Sequence, residues 1–255
     1  MEVNGYQLNL LLMIFMRMSG CIMFNPILGR RNIPNIFKIG LSLILSLFTY
    51  QAIPTKTLQI HSFLTFFLLS IRELFIGFII GFVLQLFMSV IVMGGEIIDM
   101  QTGTAMSKVY DPSSNVSMPL SALLINAMFM LIFFVSNAHI TLIKIFIVVC
   151  KSLPYGSLYI NPNIFKNMVS LFALILTYSV KLAMPMVAVQ IISELGVGLI
   201  MRAVPQIDIF TIQIQIKIFL GLIVILILVP PLATFIEGLI GAMFSSISDI
   251  ITLLT

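Results

Sequence analysis

Charge is scarce in this sequence. Asp, Glu, Lys and Arg make up 9% of its 255 residues, where a soluble domain carries about 25%. Hydrophobic residues make up 60%, and the mean hydropathy is +1.17. A soluble chain of this make-up lacks the polar surface to cover its own core, and a disordered segment is excluded on the same ground. Cysteine is scarce too. Cys21 and Cys150 stand far apart, with neither a metal spacing nor a redox motif, and a disulfide-stapled secreted module is excluded. The basic excess is thin: 13 Lys and Arg against 9 Asp and Glu, net +4. That is no nucleic-acid footprint. Catalytic signatures are missing. There is no G-x-S-x-G, no phosphate-binding loop and no H-E-x-x-H. His61 and His139 have no flanking ligands, which argues against a metal site. No cofactor and no enzymatic activity are expected.

What the chain has is apolar runs. They predict an all-α, polytopic integral membrane protein of about six to eight apolar helices or helical hairpins. One membrane domain over 1–255 is expected, without a separate soluble domain. Glu2 in the opening MEVNGYQ is wrong for a secretory signal. Met18-Ser19-Gly20-Cys21 looks like a lipoprotein cleavage site, but Arg17 beside it argues for an uncleaved first span.

The first run is Leu8 to Leu28, followed by a basic turn of Pro26, Gly29, Arg30, Arg31, Asn32 and Pro34. Ile39 to Ile53 is a short run, and its extension back to Ile36 needs Lys38 to snorkel. Phe63 to Met93 is long and holds Arg72 and Glu73. Its Gly77 and Gly81 form a small-xxx-small pair that would let another helix approach closely. A polar stretch, Gly94 to Pro119, does not read as a span. Leu120 to Val149 is interrupted at Ser136 to His139, so a hairpin bent at Asn137 and one long helix are both open. A loop over Lys151 to Pro162 leads to Ile164–Met201, then a break over Arg202 to Gln206. Ile207 to Val229 and a tail through Ile240 follow, split by Pro230-Pro231. Ile212, Ile214, Ile216 and Ile218 alternate with polar residues. Period two normally argues a strand, but a lone strand in lipid leaves its backbone unpaired, so a helix is expected. Its polar residues then fall on two faces, which points to partner subunits. Arg30, Arg31 and Lys38 place the first turn on the cytoplasmic side.

Charges in apolar runs are functional candidates by default. Glu96 and Asp99 are three residues apart and would share a helical face. A cation or proton site is one reading. A solvated or partner-paired helix end is the other, and it is favoured because the apolar run has already stopped. Arg72 with Glu73, Lys181 and Glu194 are read as snorkelling or paired between subunits. The 17 methionines include Met93, Met100, Met106 and Met118 near the Gly-rich stretch. They would suit a deformable seal, though plain apolar filling is the better reading from composition alone.

Four blocks then stand out. The first is Arg17-Met18-Ser19-Gly20 with Asn25-Pro26-Ile27-Leu28-Gly29-Arg30-Arg31-Asn32-Ile33-Pro34. The second is Gly95-Glu96-Ile97-Ile98-Asp99-Met100-Gln101-Thr102-Gly103, with Asp111-Pro112 and Met118-Pro119. The third is Leu153-Pro154-Tyr155-Gly156, and the fourth Gly198-Leu199-Ile200-Met201-Arg202-Ala203-Val204-Pro205-Gln206. In this order they resemble the FliR family of flagellar export-gate proteins, whose virulence-system relatives are called SctT. The likeness covers nearly the whole chain. Similar proteins often have Gly at Asp99 and Met at Thr102, so the local packing there departs from the pattern.

The resemblance implies a role in the bacterial inner membrane, as a multi-pass subunit in the flagellar basal body. With FliP-like and FliQ-like subunits, one such chain would form a helical gate through which unfolded flagellar proteins leave the cytoplasm. An FlhB-like protein would associate, and membrane lipid would surround the whole; no nucleic acid is involved. The resemblance also implies a pore plug: Gly103, Thr104, Ala105, Met106, Ser107, Asp111, Pro112, Met118 and Pro119. Structural or gating candidates are Arg17, Pro26, Pro34, Gly95, Glu96, Gln101, Arg202, Pro205 and Gln206. The competing reading is a secondary transporter of small solutes that uses Glu96, Asp99, Lys181 and Glu194.

Overall fold

A computed structural model describes residues 5–53, 62–105, 109–111, 116–155, 163–203 and 209–254. Among these residues there are seven helices. They are α1 (Gly5–Met23), α2 (Asn35–Ala52), α3 (Phe63–Thr102), α4 (Leu120–Val135), α5 (Ala138–Ser152), α6 (Asn163–Ala203) and α7 (Ile209–Leu254). Between α3 and α4 lies a small antiparallel hairpin, β1 (Val109–Asp111) and β2 (Val116–Met118). The all-α expectation holds. Three helices are long and apolar enough to cross a membrane, within α3, α6 and α7; α4 with α5 would make a fourth if taken as one broken span. The chain is a membrane protein.

Several boundaries differ from those expected. α1 stops at Met23, short of Leu28, because the Asn25 side chain captures the next amides. Its Oδ1 accepts the N–H of Ile27 at 2.7 Å and of Leu28 at 3.1 Å. Pro34 is the N-cap of α2. Lys38 does not snorkel; it is buried and donates from Nζ to the Gly29 carbonyl at 2.9 Å, which closes the basic turn. α3 runs straight through Gly94-Gly95 to Thr102. The glycines do not end it, because they pack against neighbours. A Cβ on Gly95 would lie 2.6 Å from the backbone nitrogen of Ala122.

α7 likewise runs through Pro230 and Pro231. Away from water, a continued helix keeps nearly all backbone groups bonded, and proline is tolerated for that reason. The period-two segment is helical from Ile209 onward, as the membrane argument required. Positions 204–208, which include Pro205, Gln206 and Asp208, lie outside the described residues. Of the two readings of Leu120–Val149, the broken one is found. Asn137 takes a left-handed conformation at φ 57° between α4 and α5, a region that its short polar side chain tolerates.

The chain divides into two compact units. One comprises 1–86, 137–171 and 241–255, the other 87–136 and 172–240. In the first, Met13, Ile14, Met18 and Ile22 of α1 are wholly buried with Ile80 and Leu84 of α3 and Phe146 of α5. α1 and α3 meet at glycines, where a Cβ on Gly77 would lie 2.8 Å from the Cα of Gly20. The small-xxx-small pair thus serves α1 of the same chain. Phe24 meets the Phe78 ring edge to face, centroids 4.8 Å apart. In the second unit, Val90, Ala122, Phe129, Phe133 and Ile175 are buried.

Candidate functional site

The second unit contains the segment between α3 and α4. α3 ends at Thr102, and Gly103 follows at φ 79°, a left-handed C-terminal position that glycine fills without strain. The strands pair Val109 with Met118, Tyr110 with Ser117 and Asp111 with Val116. Part of the expected loop is therefore a hairpin, which bonds its own backbone. β2 leads to Pro119, the N-cap of α4, which has no side-chain cap of its own.

Asp99, on the last turn of α3, is buried. The Ser121 hydroxyl donates to its Oδ1, and the Ser121 amide lies 3.3 and 3.4 Å from its two oxygens. At the other exit, the Thr102 and Thr104 hydroxyls are 2.8 Å apart. Gly103, Thr104 and Ala105 thus sit at one root of the segment, Met118 and Pro119 at the other. Glu96 is exposed where Asp99 is buried, so the two do not form a common carboxylate site. Gln101 is half-buried and Met100 exposed. Met106, Ser107 and Pro112 lie outside the described residues.

Further along this unit, Lys217 of α7 pairs with Glu194 of α6, and Gln190 Nε2 donates to the Lys217 carbonyl at 3.1 Å. Glu194 is therefore paired within the chain. Lys181 lies 5.7 Å above the Tyr178 ring. Arg202, at the end of α6, is exposed.

The first unit holds a buried charge cluster. Arg17 and Glu73 are both 0% exposed. Arg17 Nη2 lies 2.5 Å from Glu73 Oε2, and Nε donates to the same oxygen at 2.6 Å. Nη1 donates to the carbonyls of Val149 at 3.0 Å and Leu153 at 3.1 Å, at the C-terminal end of α5. The guanidinium also lies 4.0 Å above the Tyr155 ring. Arg72 Nη1 donates to Glu73 Oε1 at 3.0 Å. The Tyr155 hydroxyl donates to the Cys150 carbonyl at 2.9 Å. Burial first, and the Cys150 thiol second, push this phenol above its ordinary value, so it stays a neutral donor.

Arg72 and Glu73 were expected to snorkel or pair between subunits; they pair inside the chain instead. Arg17 was a candidate on its motif alone. Glu73 had been singled out as a charge in an apolar run, but its pairing with Arg17 was missed. The Cys150 thiol beside this cluster is free and buried. Among the described residues no three His, Cys, Asp or Glu side chains gather as metal ligands. One guanidinium ties α1, α3 and the end of α5 together.

The family described as "Bacterial export proteins, family 1" matches residues 8–243, across both units. The chain belongs to this family. The flagellar biosynthetic protein FliR of Escherichia coli (strain K12) is 29% identical to it, over 96% of this chain and 94% of that protein. The FliR of Bacillus subtilis (strain 168) is 25% identical over 85% and 84%. The Yop proteins translocation protein T of Yersinia pestis is 26% identical over 79% and 78%. For a bacterial export protein, structural membrane helices without a reaction centre are the working parts, and the enzyme and solute-transporter readings lose their support. The buried cluster then reads as scaffold. The segment rooted at Asp99–Ser121 carries the two strands found among the described residues.

Proposed function

We propose that this chain is a subunit of the flagellar type III protein export gate in the bacterial inner membrane, at the flagellar basal body. With FliP-like and FliQ-like subunits it forms the channel through which unfolded flagellar proteins are exported, and an FlhB-like subunit associates with it. The match over residues 8–243 supports one functional domain that takes in both units. The flagellar reading is preferred over a virulence system because the FliR of E. coli is similar over more of the chain, at 96% against 79% for the Yersinia protein. The remaining site candidates fall into two groups. Arg17, Pro26 and Pro34 shape the α1–α2 scaffold, while Gly95, Glu96, Gln101, Arg202, Pro205 and Gln206 belong to the gating half.

Within this reading, Gly103 to Pro119 is the plug. The observation that carries it is a non-helical, hairpin-bearing segment set between two apolar helices, α3 and α4. Such backbone is tolerated at membrane depth only where protein or water surrounds it, and a pore provides both. Deleting Ala105 to Asn115 removes β1 and leaves Gly103, Thr104, Met118 and Pro119 in place. In the assembled complex this deletion raises ion conductance above wild type while assembly survives. Wild-type conductance in a correctly assembled deletion complex would reject the plug.

A further inference from the structure

We propose that Asp99 is the positioning residue that latches the root of the Gly103–Pro119 segment, and that release of this latch opens the plug; the second half rests on the plug reading above. The first amides of a helix have no intrahelical acceptor and look for one at the N-cap. In α4 the N-cap is Pro119, which offers no side-chain acceptor. Asp99 supplies it from another helix. Its carboxylate is buried at 2% exposure and takes both the hydroxyl and the amide of Ser121, the second residue of α4. A carboxylate at a helix N-terminus is also favoured by the helix dipole.

The bond joins the last turn of α3 to the first turn of α4, so it closes the loop across its two ends. Close by, the Thr102 hydroxyl bonds back to the Ile98 carbonyl at 3.1 Å and meets Thr104 at 2.8 Å. Gly95 against Ala122 sets the same two helices in van der Waals contact one turn deeper. The end of α3 and the start of α4 are thereby fastened to one another. If the Asp99–Ser121 bond breaks, the α4 start loses its cap, and the chain from Met118 to Ser121 is free to swing with β2.

The test uses the assembled export complex with Asp99→Ala, Asp99→Asn and Ser121→Ala. Two readouts are followed: hydrogen exchange at the Ser121 amide, and ion conductance. Loss of a charge-assisted bond raises exchange at that amide by about tenfold or more in Asp99→Ala. Asp99→Asn keeps one acceptor and falls between wild type and Asp99→Ala. Conductance rises in the same order, whereas a merely structural role would lower thermal stability and leave conductance alone. Unchanged exchange in Asp99→Ala overturns the latch. Raised exchange with wild-type conductance, in a complex whose loop deletion does leak, overturns its control of the plug. If the loop deletion itself does not leak, the plug reading fails, and exchange alone decides whether Asp99 caps α4.

Discussion

Arg17 and Glu73 carry a cost that their surroundings must offset. A buried ion loses its hydration, and the loss is made good only when partner charges and hydrogen bonds are well placed. Here Arg17 and Glu73 are not equivalent in what their removal leaves behind. If Arg17 is removed, Glu73 keeps Arg72 at 3.0 Å. If Glu73 is removed, the wholly buried Arg17 guanidinium loses the carboxylate it is bonded to. Glu73→Ala should therefore destabilise the purified protein by about 3–5 kcal/mol, and Arg17→Met by less. Adding Arg17→Met to Glu73→Ala should recover part of the loss. Thermal unfolding in detergent ranks the three variants; an Arg17→Met that is worse than Glu73→Ala would refute the charge argument. The pair also shows what a sequence conceals at this scale. Each residue stands out as a charge in an apolar run, yet 56 positions separate them. Periodicity relates residues within one helix, and nothing in it connects α1 with α3. The Asp99–Ser121 bond was hidden for the same reason, since Ser121 is an unremarkable hydroxyl at a helix start.

Helices in lipid gain little from burying apolar side chains, because lipid is as apolar as leucine; close packing decides instead. This is why Gly77 was legible as a contact point while the length of α3 was not. A small residue in an apolar run announces a close approach. Gly95 announces one as well, against Ala122, but beside polar residues Gly94-Gly95 reads as the end of a span. Pro230-Pro231 misleads in the same way, since the rule that proline breaks helices is learned in water. The apolar class was readable from composition and the helix at Ile209–Ile218 from backbone bonding, whereas the break at Asn137 stood open against one long helix. A paired substitution tests the packing claim. A Cβ on Gly77 would sit 2.7 Å from the Cys21 nitrogen and 2.8 Å from the Gly20 Cα. Those are backbone atoms, so the helices must move apart. Gly40 of α2 has nothing within 4 Å. Gly77→Ala should cost about 1–3 kcal/mol, and Gly40→Ala should be neutral or gain up to about 1 kcal/mol from helix propensity. Denaturation of the two variants under the same detergent conditions compares them, and equal effects would sink the assignment of Gly77 as a contact.

For the whole molecule, helix length sets the problem. α6 has 41 residues and α7 has 46. At about 1.5 Å per residue each has backbone for roughly 60–70 Å of helix, against about 30 Å of hydrocarbon in a bilayer. On α6 exposed apolar side chains recur from Phe165 to Leu199, roughly 50 Å of helix at about 1.5 Å per residue. Along α6, Phe165, Phe172, Met184, Ile192, Leu195 and Leu199 are all exposed, and along α7, Phe219, Leu222, Leu226 and Ile227. Lipid cannot cover a surface of this extent if the helices rise out of the bilayer, and water covers it poorly. Partway along lies the Glu194–Lys217 pair, with Glu194 42% exposed, a charge that hydrocarbon would penalise. A surface that is too long for lipid, too apolar for water and interrupted by an ion pair fits neighbouring protein chains. The chain expressed alone should therefore aggregate or be degraded. Co-expression with FliP-like and FliQ-like subunits should raise the yield of monodisperse complex several-fold, read by size-exclusion chromatography at matched expression. A second readout places the contact. A photo-crosslinking residue at Leu195 or Leu199 should capture protein in the assembled complex. Equal yield and monodispersity without the partners, together with lipid adducts alone at both positions, would show that these helices complete their packing in the bilayer.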